Sequence, residues 1–327
     1  MFAAHTVPRA GIEELLVDGR PSVLFALVAG IALGLMTGGR RPVDRPRRAE
    51  ARGRLVIRAL VLFAMGVLLW MLPHGVAVIL DYYGVMFLLM VPLLFVSRAI
   101  LGVVGSAVLI VGPLFRQAVE SRPLPGEPLE TAIDYLLTGW YPALLWVPVL
   151  AVGLIAARSD LGRQRTRLAL LGGGVAASAA GYGAAILLDG VDASAHSGTT
   201  AELLGSGGLA AAVVAVVLML LDGGLGAAPG GVRRAFRILF APVTAIGRMP
   251  LTIYVAHLLA LAALSPLGPA GQFPGDVGWA VLTVLSVGSA SFALAWQALR
   301  LPGPLEWVLQ RAADLPFRGR AVRDLAP

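Results

Sequence analysis

Runs of about 17 to 23 apolar residues, separated by short polar turns, recur along almost the whole chain. A run of that length is what a hydrocarbon core roughly 30 Å thick requires of a helix rising about 1.5 Å per residue. Nine such runs stand out, at 21–39, 54–72, 77–97, 98–115, 141–157, 166–188, 206–222, 249–266 and 278–299. They predict an all-α fold, a polytopic transmembrane helix bundle of about nine spans forming a single transmembrane domain over residues 1–327. Pro92, Pro148 and the Gly172-Gly173-Gly174 run would interrupt helices in water, but neighbouring helices in lipid can re-satisfy the freed backbone groups. Gly174, Ser178 and Gly181 share one face of the sixth run, where small side chains let two helix backbones approach. Two amphipathic stretches, 232–247 and 303–314, are expected to lie along a membrane face. The first residues, Met1 to His5, read like the tail of a helix, so a start further upstream would raise the count to ten or more.

Charge then orients the spans, because short loops rich in Lys or Arg stay in the cytoplasm. With alternate turns on alternate sides, one side gathers Arg40 to Arg54, Arg98, Arg158 to Arg167, Arg233 to Arg237 and the arginines from Arg300 to Arg323. The other side holds only Arg9, Arg20, Arg116 and Arg122, and is acidic instead, with Glu13, Glu14, Asp18, Asp81, Glu127, Asp134 and Glu202 among its residues. The expected topology is therefore N-out and C-in, in a cell inner membrane crossed many times. It has a basic cytoplasmic loop at 40–54, outer loops at 116–138 and 189–205, and a cytoplasmic tail at 300–327. Trp70, Tyr82, Tyr83, Trp140 and Tyr141 fall near the outer span ends and Trp296 and Trp307 near inner ones, as an interfacial aromatic belt would.

Composition narrows the chemistry. With 57% hydrophobic and 14% charged residues, there is more apolar surface than one soluble core could hide, so lipid must cover much of it. The chain has no Cys, which excludes disulfides, thiolate metal sites and a Cys nucleophile. The net charge of +7 sits in short loops, where membrane orientation explains it better than nucleic acid does. Membrane lipids are thus the expected partners. The four His are scattered without a metal-ligand spacing, no phosphate-cradling glycine motif occurs, and no permanently bound cofactor is expected.

What remains for chemistry is His, carboxylate, hydroxyl and Arg. His257 lies deep in the eighth run, three residues from Tyr254 and two to three turns from Arg248, and ionisable groups at such depth usually face a bundle interior. It could carry a proton or pack as a neutral hydrogen-bonded side chain. His5, Asp18 and Arg20 cluster at the outer mouth of the first run, and a His with a carboxylate beside it is the minimum for activating a hydroxyl or amine. His74 and Asp81 flank the turn into the third run, where Asp81 can cap the helix or face an outer cavity. His196 stands beside Ser197, Thr199 and Thr200, although adjacent residues rarely reach nucleophile–base geometry. The basic stretch 40–58 can touch anionic lipid or the phosphates of an acyl-CoA.

Several segments carry a resemblance: Asp18-Gly19-Arg20-Pro21-Ser22-Val23-Leu24-Phe25, Tyr82-Tyr83-Gly84-Val85, Thr138-Gly139-Trp140-Tyr141-Pro142, His196-Ser197-Gly198-Thr199-Thr200, and Gly247-Arg248-Met249-Pro250-Leu251-Thr252-Ile253-Tyr254. Together and in order they resemble the YeiB-like bacterial membrane proteins of unknown function. These in turn look related to the heparan-alpha-glucosaminide N-acetyltransferase family of transmembrane acyltransferases. The resemblance implies an acyltransferase moving an acyl group from acetyl-CoA or another acyl-CoA, as co-substrate, to a hydroxyl or amine of a glycan or lipid-linked acceptor. His5, Asp18 and His257 would be catalytic, with Arg20, Asp81, Tyr83, His196, Arg248 and Tyr254 binding substrate. In that family an Asn closes the first helix and a catalytic His follows; here His5 takes the Asn position and no His lies between it and the first full run. The alternative is a transporter or flippase for a small polar or lipid-linked molecule, and a non-catalytic scaffold is a third reading. A homodimer stays open.

Overall fold

Each of the nine apolar runs carries a helix. The computed structural model describes residues 1–7, 18–123, 126–222, 230–268, 273 and 275–317. Helical turns account for 77% of these residues, and among them there is no strand. After a five-residue helix α1 (Phe2–Thr6) come α2 (Arg20–Met36), α3 (Arg48–Trp70), α4 (Leu80–Met90) and α5 (Arg98–Glu120). A short α6 (Leu129–Ile133) leads through a π turn (Asp134–Thr138) to α7 (Ala143–Arg158), followed by α8 (Gln164–Leu187) and α9 (Thr200–Asp222). The last third holds α10 (Gly230–Leu239), α11 (Ala241–Gly247), α12 (Pro250–Ala263), α13 (Gly275–Ala298) and α14 (Pro304–Asp314). Arg9, Glu13 and Glu14 of the predicted outer segment, and Arg318, Arg320 and Arg323 of the predicted tail, lie outside the described residues.

Several helices outrun their apolar stretches. Helix α3 begins six residues early and α5 runs on to Glu120, each end braced by an i,i+4 ion pair, Glu50 with Arg54 and Arg116 with Glu120, both at 2.8 Å. Hydropathy marks where lipid ends, whereas the backbone ladder continues into the polar layer at little cost. The third run behaves oppositely. Its helix α4 has 11 residues, roughly half the length needed to cross a hydrocarbon core, and gives way to turns at 91–96. Pro92 lacks an amide proton and clashes with the preceding turn, which ends the helix there. Five helices, α3, α5, α8, α9 and α13, are long and apolar enough to span by themselves. The count rises to seven if two bent pairs each make one span: α6 and its π turn with α7, at 41°, and α11 with α12, at 91°. Apolar side chains face outward along these helices, Val103 at 70% and Ile186 at 81% exposure, as lipid contact requires.

The chain divides into two compact units, two of the boundaries falling inside α3 and α4. One unit comprises Met1–Val17, Leu60–Asp81 and Ala227–Pro327. In it α13 packs on α1 and α11, and α12 on α14. Ala245, Met249, Ile253 and Ala293 form a buried cluster with Phe2, Ile246 and Trp296 against it.

The other unit comprises Asp18–Ala59 and Tyr82–Gly226, and α7 lies at its centre with α2 and α5 against it. Glycine permits the closest approach: a Cβ on Gly30 would collide with the Leu150 carbonyl, and one on Gly153 with the Leu27 carbonyl, so α2 and α7 meet backbone to backbone. The small-residue face expected on the sixth run meets α9 in the same way. Gly174 abuts Gly208, Gly208 abuts Ser178, and Gly181 abuts Gly205. At the end of α7 the buried Arg158 guanidinium donates to the carbonyls of Gly34, Thr37, Gly39 and Leu94 and to Thr37 Oγ1, at 2.6–3.4 Å. These acceptors include carbonyls freed at the end of α2, which a single guanidinium fork can serve together.

Candidate functional site

In the first unit an imidazole pair is enclosed by helices. His257 is 1% exposed on α12, and its Nε2 lies 3.2 Å from Nδ1 of His5 on α1. The rings are nearly parallel, 13° apart, with centroids at 5.4 Å. Phe2, three residues before His5 and so on the same side of α1, covers His257 at 5.4 Å, and Tyr254, one turn back on α12, meets it edge-on at 5.2 Å. One nitrogen of the pair must donate to the other, so the pair holds one shared proton when neutral. Nδ1 of His257 is buried, and the backbone of Ile253 and Tyr254 in the preceding turn of its own helix is within its reach, without the geometry of a full hydrogen bond. Buried imidazoles at such depth are the kind of group that proton transfer in a membrane uses.

The segment entering α4 closes over this region. The Tyr254 hydroxyl accepts from the Ile79 amide at 3.1 Å. His74, 2% exposed, has Nε2 2.8 Å from the Leu69 carbonyl while its Nδ1 accepts from the Val76 amide at 3.1 Å, so both its nitrogens are used in shaping the turn. Asp81 is fully buried in the first turn of α4 and accepts from the Trp70 indole at 2.9 Å. Its carboxylate stands where the helix dipole favours a negative charge.

The second unit holds another pair at the predicted outer loops. Asp18 Oδ1 lies 3.9 Å from His196 Nε2, both side chains about a quarter exposed. His196 Nδ1 lies 3.0 Å from the Trp140 carbonyl, and the Trp140 and Tyr141 rings stand edge-on to the imidazole at 6.0 and 5.5 Å. The loop is held by Glu202, 5% exposed at the start of α9. Its carboxylate accepts from the amides of His196 and Gly198, both at 2.6 Å, and from Ser197 Oγ at 3.3 Å. That clip keeps His196 in the left-handed region, φ 64°, where a non-glycine residue rarely rests. Arg20 donates to the Tyr182 hydroxyl at 3.0 Å and stacks over its ring, and Tyr182 meets Ser206 Oγ at 3.0 Å.

Of the residues expected to carry chemistry, the structure thus brings His5, Tyr254 and His257 together in one unit and Asp18 with His196 in the other. Asp81 sits with Trp70, Tyr83 is buried on α4 with its ring 6.1 Å from Phe87, and Arg248 lines a cavity at the α11–α12 bend. Two organising carboxylates had no local sign. In the sequence Glu202 stands out only as one outer charge among several. Glu306 on α14 accepts from the Leu251 and Thr252 amides at 2.7 and 3.1 Å and from Thr252 Oγ1 at 2.5 Å, capping α12 from 54 residues away in sequence. Among the described residues no three His, Cys, Asp or Glu side chains gather around one point that could hold a metal ion.

Long apolar helices, with no strand among the described residues, and apolar side chains on their outer faces make the chain a multi-pass integral membrane protein. A protein-family model described as "Protein of unknown function (DUF418)" matches residues 150–316, half of the chain, and the chain belongs to that family. The match takes in His196, Glu202, Arg248, Tyr254, His257 and Glu306, and it accords with the resemblance to the YeiB-like proteins. No curated protein and no solved structure matches the chain.

Proposed function

We propose that this protein is a membrane acyltransferase whose acid–base group is the His5–His257 pair. The observation that carries this reading is the imidazole pair itself, a buried His257 joined to a half-buried His5; the resemblance to transmembrane acetyltransferases supplies the reaction class. In this reading a ring nitrogen takes the proton from an acceptor hydroxyl or amine, whose oxygen or nitrogen attacks the thioester carbonyl of acetyl-CoA or another acyl-CoA. The C–S bond breaks, the thiolate leaves with the acyl carbon bonded to the acceptor, and the imidazolium returns the proton to sulfur. The chain crosses a cell inner membrane about nine times with its N-terminus outside; the nine helices at the nine apolar runs and the arginine-rich turns support that topology.

The depth of His257 favours one competing reading, a proton-coupled transporter, since intramembrane His residues serve proton relays. Purified full-length protein incubated with labelled acetyl-CoA and a panel of glycan and lipid acceptors separates the two. Acyl transfer predicts thiol release and a labelled acceptor, both cut about 10²- to 10⁴-fold by His257→Ala, the range a positioned acid–base group contributes. Thiol release absent with every acceptor, alongside His257-dependent uptake into vesicles, would establish the transporter instead.

A further inference from the structure

We propose that the cavity where α11 turns into α12 and α13 connects to α14 is a binding site for a phosphate group, as a monoester or diester. The cavity has a volume of about 490 Å³ and is lined by Ala245, Arg248, Met249, Gln297, Arg300 and Gly303 among others. That volume is in the range of ligand pockets, about 300–1,000 Å³, and leaves room for the phosphate and part of the molecule that carries it.

The chemistry of the lining is one-sided. It offers two guanidiniums and a carboxamide and no carboxylate. Some arginines have partners inside the protein: Arg158 serves four carbonyls, Arg20 a tyrosine, and Arg54 and Arg116 carboxylates. The guanidiniums of Arg248 and Arg300, both exposed, have no hydrogen-bond or ion-pair partner among the described residues. The nearby carboxylate, Glu306, lies behind Gly303 and is engaged by the amides of Leu251 and Thr252 and by Thr252 Oγ1. Two planar forks facing one concavity with no internal counter-charge match the oxygens of a phosphate.

The site is also built rigidly. Arg300 has φ 55°, a left-handed conformation that side chains other than glycine seldom adopt, and such positions tend to persist where the side chain is needed. Its amide donates to the Gln297 carbonyl, and the Trp296 indole donates to the Pro302 carbonyl, both at 3.0 Å, which fixes the link from α13 to α14. Glu306 and Thr252 tie α14 to the start of α12, holding the opposite wall. The inference does not depend on whether the chain transfers acyl groups.

Two phosphate sources fit this chemistry, a soluble nucleotide such as coenzyme A and an anionic phospholipid headgroup. The test titrates the full-length protein, in uncharged detergent, with coenzyme A and separately with short-chain phosphatidylglycerol, reading binding by calorimetry. One or both should bind saturably at one site. Arg248→Gln and Arg300→Gly should each weaken that binding about ten-fold and together about a hundred-fold, the usual worth of hydrogen bonds to a charged group. Arg234→Gln with Arg237→Gln on α10 should change it little. Arg300→Gly relieves the left-handed backbone, so it reports on the site in a folded protein, and Arg248→Lys, which keeps the charge but loses the fork, replaces Arg248→Gln if the latter does not fold. Coenzyme A binding identifies a soluble ligand and phosphatidylglycerol binding a lipid. Failure of both to saturate, or an equal loss from the α10 pair, would overturn the proposal.

Discussion

His257 and His5 stand 252 residues apart in sequence, yet His5 Nδ1 lies 3.2 Å from His257 Nε2 with the two rings almost parallel. The contact joins a short N-terminal helix to a helix near the other end of the chain. It engages Nε2 of His257 and turns the other nitrogen towards the backbone of its own helix. A pair kept only for packing and a pair kept for proton transfer differ in what their removal does.

The first prediction uses that difference. His5→Phe strands a buried nitrogen and should lower stability by about 1–3 kcal/mol, the cost of an unsatisfied buried polar group. His257→Leu removes a partner of the half-buried His5 and should cost less. Joining the two substitutions removes both polar partners, and the double variant should recover most of the lost stability in thermal unfolding in detergent. It should recover none of the acyl transfer or transport. A double variant as active as the original protein would assign the pair to packing.

A second prediction concerns Arg158. Its guanidinium serves Gly34, Thr37, Gly39 and Leu94 carbonyls, and a lysine has neither the reach nor the fork to do so. Arg158→Lys should therefore cost about 2–3 kcal/mol despite keeping the charge, and Arg158→Leu should cost more, since buried carbonyls are then left unpaired. Melting temperatures of the two variants in one detergent check the order.

How much of this could be read from the chain alone varies with the range of the interaction. Apolar run length placed a helix at every expected position, because hydrophobicity and helix length are local properties. The Gly174–Ser178–Gly181 face was legible for the same reason, and it packs against α9 as its small residues suggest. Pro92 carried a sign that the third run would break, but the length of that run outweighed it. Glu202 and Glu306 were not legible as loop and helix clips, nor Arg158 as a tie between helices. A carboxylate that caps a helix from another element has no spacing to reveal it. His5 and Asp18 fall close together along the chain, which suggests a pair, whereas His5 meets His257 and Asp18 lies beside His196.

Glu202 supports a third prediction. Its carboxylate accepts from two loop amides and one hydroxyl, so Glu202→Ala should free the 196–198 loop while leaving the α8–α9 glycine contacts intact. Hydrogen exchange at the His196 and Gly198 amides should speed up by about ten- to a hundred-fold, corresponding to a loss of about 1–3 kcal/mol. Glu202→Gln, which keeps one acceptor oxygen, should fall between. Unchanged exchange at Gly198 would show that the backbone alone holds the turn.

The last prediction tests the compartment of every turn at once. The protein has no cysteine, so single cysteines can be introduced without removing any. Arginine crosses to the far leaflet at high cost, and seven arginines lie between Arg40 and Arg54. A cysteine at position 47, in the short 3-10 turn Arg45–Arg47 ahead of α3, should resist a membrane-impermeant maleimide on intact cells and react after permeabilisation. Cysteines at 127 and 192, in the segments before α6 and α9, should react on intact cells, and one at 163 before α8 should behave like position 47. Because α4 has only 11 residues, a cysteine at position 96 decides whether the third run crosses. Protection there on intact cells means the chain completes the crossing through the turns after Met90, whereas labelling means α4 returns to the side it entered from and the span count falls.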